Sequence, residues 1–149
     1  MVGNPAAARE WVWKSFLRGH NPILMDNIFD DSTGRAVPET THDRGFIAAR
    51  GAMGHTRRYA STVNLAAMAP RADLSSTRYA LANPGSEYIV YQPLPEPFAV
   101  KLVAGAYSYE WFDPSPGTVH STGSITVAEG ETTFIAPFMG DAVLYLKSN

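Results

Sequence analysis

Acidic side chains beside a short apolar run are the first candidates for chemistry in this sequence. Asp26 closes the run "NPILMD", which begins at Asn21, and Asp30 and Asp31 follow shortly after. At the carboxyl end of a strand in an α/β barrel, carboxylates in such positions face the active-site mouth. The same spacing fits a solvated acidic loop, and it lacks the alternating acids and closing Glu of a calcium loop.

The histidines and the absence of cysteine limit the remaining chemistry. No two of the four histidines, His20, His42, His55 and His120, have the i, i+4 spacing of a helical metal site. No G-x-S-x-G sequence supports a serine nucleophile. With no cysteine, disulfides, thiolate nucleophiles and Cys-ligated zinc are excluded. The sequence therefore predicts neither a metal site nor a cofactor.

Two further motifs have a structural and a functional interpretation. "HTRRYAS", residues 55–61, is either a basic or phosphoacceptor patch or a solvated helix face whose arginines pair with nearby acids. "SYEWFDPSPG" follows Tyr107 and places that residue, Tyr109 and Trp111 on one side of a strand. Exposed rings of this kind stack on sugars, whereas buried ones form a core. Tyr109 and Trp111 are thus candidate substrate-binding residues.

Length and composition indicate a folded protein without a strongly charged partner. The 149 residues suffice for one ordinary domain or two small ones. Apolar residues make up 45% and charged residues 17%, enough to bury a core. The net charge of -2 argues against a partner that is nucleic acid or an anionic membrane. We expect no signal peptide at "MVGNPAAAREWVW" and no membrane-spanning run.

The first half of the chain has mainly helical patterns. Asn4 and Pro5 are typical of a helix start, and apolar residues at three-to-four spacing predict a helix from Pro5 to Arg18. The run Asn21–Asp26 has the length of a strand. After a polar loop, a second helix is predicted from Asp43 to about Leu65. A single strand needs partner strands for its backbone, and none is predicted in residues 1–69, so this half requires a neighbour.

The second half consists of short strands separated by Gly and Pro. Seven strand-length runs are predicted: Tyr79–Ala82, Glu87–Gln92, Phe98–Val103, Tyr107–Phe112, Ser124–Val127, Thr132–Ala136 and Ala142–Lys147. This pattern indicates a mainly antiparallel β-sandwich over about residues 70–149. The expected class is α+β, with a helix-strand-helix segment at residues 1–69 and a sandwich domain at residues 70–149.

The corner in "LANPGSEYIVYQP" predicts a type II turn. Pro84 fixes φ at the first corner position, Gly85 permits the positive φ of the second, and Asn83 precedes them. The flanking strands would then form a hairpin. Its second strand would place alternate residues on opposite faces, with Ile89 and Tyr91 on one and Tyr88 and Val90 on the other.

Three motifs together resemble a known C-terminal β-sandwich family, the collagen-binding domain of a collagenase. They are "RYALANPGSEYIVYQP", "YEWFDPSPG" and "FIAPFMGDAVLYLK", and the likeness covers about residues 66–149. That sandwich usually follows an apiosidase-like, glycoside-hydrolase-like (β/α)8 barrel. "REWVWKSFLRGHNPILMD" and "RGFIAARGAMGHTRRYASTVNLAAMAP" resemble the last strand and flanking helices of that barrel, which would make residues 1–69 a truncated TIM barrel.

The resemblance implies that the catalytic carboxylates of such a barrel come from strands before Met1. No catalytic residue is therefore assigned to this chain. Asn21 and Asp26, at the final barrel strand, would line the substrate cleft of a complete enzyme. The implied function is a non-catalytic accessory sandwich that contacts polysaccharide or matrix protein.

Two alternatives remain from the sequence. The chain could be a small glycoside hydrolase, or a subunit completing a split barrel, with Asp26, Asp30 and Glu39 as acids. It could also be a stand-alone carbohydrate- or collagen-binding module that uses its exposed aromatic rings.

The apolar residues of the first half also predict a contact. Trp11, Trp13, Phe16 and Ile23 would have faced barrel neighbours. We therefore expect either self-association into a homo-oligomer through residues 1–69 or collapse of this half onto the sandwich.

Overall fold

The computed structural model describes residues 3–25, 29, 32–37 and 43–149. Within these residues, two α-helices precede the strands: α1, Pro5–Leu17, and α2, Arg44–Thr62. Two short 3-10 helices, Leu65–Ala67 and Ala72–Leu74, flank the first strand. The strands β1 to β8 are, in chain order, Ala69–Pro70, Ala80–Asn83, Glu87–Gln92, Phe98–Leu102, Gly105–Asp113, Thr118–Val127, Gly130–Phe134 and Ala142–Ser148. The predicted α+β class with mainly antiparallel sheet is confirmed.

Local sequence signals set both ends of α1. The Asn4 side chain accepts a hydrogen bond from the Ala7 N–H at 3.0 Å, and Pro5 occupies the first helical position. At the other end Gly19 has a φ of 75°. The N–H groups of Gly19 and His20 bond to the carbonyls of Phe16 and Ser15, the pattern of a Schellman motif. The helix thus ends one residue before the predicted Arg18.

Asp43 caps the N-terminus of α2 and also binds the backbone of Gly3, just before α1. Its carboxylate accepts hydrogen bonds from Gly45 and Phe46 in the first turn and from the backbone N–H of Gly3. The bond from Gly3 is the main cause of a lowered pKa at Asp43. The helix ends before the predicted Leu65 because Val63 has an extended backbone.

The strands form two antiparallel sheets. Six of them pair in the order β1-β2-β3-β8-β5-β6, and β4 pairs with β7 alone. β3 is buried along its whole length between β2 and β8. This is the expected position for "EYIVYQ", whose four central side chains are apolar or aromatic on both faces.

Both faces of the six-stranded sheet are covered, by the helices on one side and by the β4–β7 sheet on the other. Ile89 and Tyr91 point into the core beneath the helices, whereas Tyr88 and Val90 point into the core beneath β4 and β7. This alternation is the one predicted from the sequence. The division into domains at residues 1–69 and 70–149 stays a prediction, since the helical core contains residues from both.

The strand predicted over residues 21–26 is not formed at residues 21–25, and Asp26 lies outside the described residues. In this segment Ile23 is 82% exposed and Met25 is 89% exposed. A strand requires a partner for its backbone groups, and none of the described strands runs beside this segment. The segment therefore has the composition of a strand without its structure.

A buried carboxylate ties α1 to the sheet. Asp141, which precedes β8, accepts two hydrogen bonds from the Arg9 guanidinium, at 2.7 and 2.9 Å. It also accepts one from the Tyr91 hydroxyl at 3.0 Å. The bond to Asp141 is the main cause that raises the pKa of Arg9, and burial is the main cause that raises the pKa of Tyr91.

Removing this carboxylate is expected to destabilise the protein more than removing one of its partners. Asp141→Ala leaves a largely buried Arg9 and a buried Tyr91 hydroxyl unpaired, so the free energy of unfolding should fall by about 2–4 kcal/mol. Tyr91→Phe removes one hydrogen bond and should lower it by about 1 kcal/mol. Urea unfolding followed by circular dichroism measures both. Equal losses for the two variants would contradict a central role for the carboxylate.

Candidate functional site

Asn21 lies at two adjoining, mainly apolar cavities between the end of α1, α2 and the first 3-10 helix. Their volumes are about 240 and 320 Å³, and they share Phe16, His20, Asn21 and Leu65. Asn21 itself is exposed. Asp26, its predicted companion, lies outside the described residues, as do Asp30, Asp31, Glu39 and His42.

Trp111 is part of the core beneath β4 and β7. Its ring packs edge-on against Phe98 and Phe134, with centroid separations of 6.0 and 6.4 Å, and 7% of the residue is exposed. A ring in this position does not present a face for a sugar to stack on. The core interpretation of the aromatic stripe therefore applies to Trp111.

Tyr109 lies on the same face of β5 but is only half-buried. It pairs across the strands with Gly123, where an added Cβ would lie 2.6 Å from the tyrosine oxygen. Glycine is therefore required at position 123 for the Tyr109 ring to lie over the backbone of β6. The ring is closer to the surface than Trp111, and a binding role for it stays a prediction.

The Asn-Pro-Gly corner joins β2 to β3 and is fastened by a buried tyrosine. The Ser86 N–H bonds to the Asn83 carbonyl at 2.9 Å, and Gly85 has a φ of 82°, as a type II turn following Pro84 requires. The Tyr88 hydroxyl oxygen accepts a hydrogen bond from the Gly85 N–H at 2.7 Å and another from the Val103 N–H at 3.3 Å.

We name these two hydrogen bonds to the Tyr88 hydroxyl the Tyr88 clamp. No sequence pattern predicted it. Local patterns predicted the turn and the face of Tyr88, but they did not show that Val103, which follows β4, lies within reach of its hydroxyl. Tyr88 and Tyr91 are both fully buried, so the tyrosine-rich run "YIVYQ" is structural.

One side of the "HTRRYAS" motif on α2 packs against the sheet. The Glu110 carboxylate accepts hydrogen bonds from the Tyr59 hydroxyl at 2.5 Å and from Arg58 at 3.0 Å. Burial and this carboxylate together raise the pKa of Tyr59. Arg57 is exposed. The motif therefore has the structural role of a helix face paired with a nearby acid.

A second pair of adjoining cavities, about 290 and 320 Å³, lies beside β4, and we name them together the β4 groove. Residues 72–78, with Pro84 and Tyr88, form one wall. β4 and residues 129–131 form the other. Leu74, Lys101 and Glu131 line both cavities and make them continuous.

Charged and hydroxyl groups line the first cavity of the β4 groove. Asp73 forms a two-point ion pair with Arg71, at 2.7 and 2.9 Å, and this pair lowers the pKa of Asp73 to about 2. The positive charge of Lys101 also lowers the pKa of Asp73. The Ser76 hydroxyl accepts a hydrogen bond from the Ala99 N–H and so fixes residues 72–78 beside β4.

The β4 groove was missed by the sequence analysis. The alternation in "FAVKL" places Lys101 on the solvent side of β4, which was the one available signal. Nothing local indicated that residues 72–78 would lie next to this strand.

Within the described residues, no group of three or more His, Cys, Asp and Glu side chains is arranged to hold a metal ion. Neither α1 nor α2 is long and apolar enough to cross a membrane.

The sequence matches no protein-family model and no curated protein. The fold does match solved structures. One, described as a glycoside hydrolase, has a TM-score of 0.68 and 14% identity, over 98% of this chain and 37% of that chain. Another, a glycoside hydrolase family 5 protein from Bacteroides vulgatus ATCC 8482, also has a TM-score of 0.68 and 14% identity, over 97% of this chain and 36% of that chain.

These comparisons define the class of the fold. The chain has a glycoside-hydrolase-like fold, and it spans little more than a third of the length of the two glycoside hydrolases that it matches. At this level of identity the similarity concerns the fold alone.

His55 provides a test of how α2 packs on the sheet. Its ring packs edge-on against Phe112 at 5.2 Å, and its Nδ1 is buried without a hydrogen-bond partner in the described structure. An added Cβ at Gly117 would lie 2.4 Å from its Cε1. Burial, together with the charge of Arg58, lowers the pKa of His55 below its ordinary value of about 6.5.

We expect this histidine to make stability depend on pH. Below about pH 6.5 the unfolded chain takes up a proton that the folded chain still excludes, so the free energy of unfolding falls with pH down to the folded-state pKa. Urea unfolding between pH 5 and 8 measures the slope. His55→Gln, which does not titrate, should show a shallower slope, and an unchanged slope would contradict this assignment.

Proposed function

We propose that this chain is a non-catalytic accessory part of a larger glycoside-hydrolase-like protein and that it contacts polysaccharide. The observation that carries the proposal is the fold match, which covers almost all of this chain but only 37% of a glycoside hydrolase. Such a fraction fits a sandwich with the last pieces of a barrel, and it would leave most barrel strands to the rest of the larger protein.

The segment at residues 21–25 supports the same proposal. Ile23 and Met25 are almost fully exposed, and the neighbouring cavities have apolar walls that include Phe16 and Leu65. Exposed apolar side chains next to an apolar cavity are typical of an interaction site. In the proposed parent protein the missing barrel strands pair with this segment, and Asn21 with Asp26 lines the substrate cleft.

An activity assay combined with a binding assay tests the proposal. The purified chain, with its fold verified by circular dichroism, is incubated with aryl glycosides and polysaccharides, and separately sedimented with insoluble polysaccharides and with fibrillar collagen. We expect no release of aryl alcohol or reducing ends above background, together with co-sedimentation with at least one polysaccharide.

Two results would overturn the proposal. Turnover above background would favour the small-hydrolase alternative. Co-sedimentation with collagen alone would favour a collagen-binding module and remove the polysaccharide contact.

Of the apolar residues in this half, Trp13 and Phe16 are buried against the sandwich, whereas Ile23 and Met25 are exposed. Self-association through residues 1–69 is therefore expected through these two exposed residues. Without the barrel, Ile23 and Met25 remain exposed, and pairing of two copies would remove them from water. Light scattering after size exclusion should show a dimer at high protein concentration, and the Ile23→Asp/Met25→Asp double variant should be monomeric.

A matched control uses the equally exposed apolar residues of the second half. Ile135 and Met139 are 68% and 81% exposed, so Ile135→Asp/Met139→Asp introduces the same charges elsewhere. This control should dimerise as the unaltered chain does. A monomer for the unaltered chain at all concentrations would contradict the expectation.

A further inference from the structure

The β4 groove contains two cations that the fold does not use. Arg78 and Lys101 both line it, and neither side chain forms a hydrogen bond or ion pair within the described part of the chain. Lys101 stands opposite Glu131 in the β4–β7 pairing without forming an ion pair with it. A donor and an acceptor therefore both face the groove and remain available to a ligand.

Arg78 occupies a backbone conformation that does not favour its side chain. Its φ is 64°, and it is the one residue other than glycine with a positive φ among the described residues. The conformation closes a turn, because the Arg78 N–H bonds to the Ser75 carbonyl at 3.0 Å. Glycine would adopt it without strain. The turn thus explains the backbone at position 78, whereas nothing in the fold explains an arginine side chain there.

The balance of charge around the groove indicates the kind of ligand. Three cations and three acids line it or pair with its lining residues: Arg71, Arg78 and Lys101 against Asp73, Glu129 and Glu131. Because the formal charges cancel, neither a strongly anionic nor a strongly cationic ligand is favoured. Neighbouring donors and acceptors instead suit hydroxyl groups, which donate and accept at once.

We propose that the β4 groove binds a neutral sugar chain, with Arg78 and Lys101 donating hydrogen bonds to ring hydroxyls and Glu131 accepting one. The inference rests on the proposed function, since it assigns the polysaccharide contact to a particular surface. Each of the two cavities is at the lower limit of small-molecule sites. We therefore assign one sugar unit to each cavity, with Lys101 and Glu131 between them.

Affinity gel electrophoresis of the purified full chain tests this assignment. The gels contain xyloglucan, arabinan, galactomannan or mixed-linkage β-glucan, with polygalacturonate as the charged probe. We expect retardation by at least one neutral polysaccharide, and dissociation constants at least tenfold weaker for Arg78→Ala and for Lys101→Ala. Lys147→Ala, which removes an exposed cation that does not line the groove, should bind as the unaltered chain does.

Arg78→Gly separates the ligand role from a structural one. It removes the guanidinium and also relieves the positive φ, so binding should be lost while the midpoint of thermal unfolding rises. Loss of binding together with a lowered midpoint would assign Arg78 to the fold and overturn its role as a donor to sugar.

The remaining outcomes distinguish this inference from the proposed function. If the chain is retarded and the Arg78 and Lys101 variants are retarded equally, the groove assignment fails and the polysaccharide contact stands. If no neutral polysaccharide retards the unaltered chain, both fail. Retardation by polygalacturonate alone would overturn the neutral ligand in favour of an acidic one.

Discussion

The cluster of aromatic rings around Trp13 joins the helices to the sheet, and the rest of the structure depends on it. Trp13 comes from α1 and contacts Phe16 of the same helix, Tyr59 of α2, Tyr91 of β3 and Phe112 of β5, with centroids 5.7 to 6.4 Å apart. Its Nε1 is buried without a hydrogen-bond partner among the described residues. Packing alone therefore holds the ring, and each aromatic pair of this kind stabilises by about 0.5–1.5 kcal/mol beyond burial.

Hydrogen bonds to three carboxylates surround this aromatic cluster and fix the orientation of the helices on the sheet. Asp141 joins Arg9 of α1 to Tyr91, and Glu110 joins Tyr59 of α2 to β5. Glu87, a buried acid on β3, accepts hydrogen bonds from the Tyr145 hydroxyl and from the Asn64 N–H just after α2. Each carboxylate thus reaches across from the sheet to the helical layer or its end. The buried Glu87 and Asp141 and the half-buried Glu110 are tolerated here because each is paired. The directions of their hydrogen bonds favour one orientation of the helices on the sheet.

The parts of the fold that follow from short-range chemistry could be predicted from the sequence. The run "EYIVYQ" forms β3 at the predicted residues, and Asn4 with Pro5 starts α1, because capping and two-residue alternation are local properties. The segment at residues 21–25 has the composition of a strand, but a strand also depends on a neighbour that the local pattern does not contain. The β4 groove was missed for a related reason. Ser76 and Ala99 on its two walls are 23 residues apart in the chain, and their hydrogen bonds, with the bridge between Ser75 and Val100, bring the walls together.

The Tyr88 clamp has a consequence for how this fold can vary. Most corners between strands are closed by their own backbone, so each can lengthen or shorten independently. Here the corner at Gly85 has its own backbone bond from Ser86 to Asn83, and a single phenol oxygen additionally joins this corner to the one at Val103. An insertion in either loop would move its N–H away from a fixed oxygen and leave the other bond intact. We therefore expect the lengths of these two loops to covary with each other, and with the presence of tyrosine at position 88, across proteins that share this sandwich.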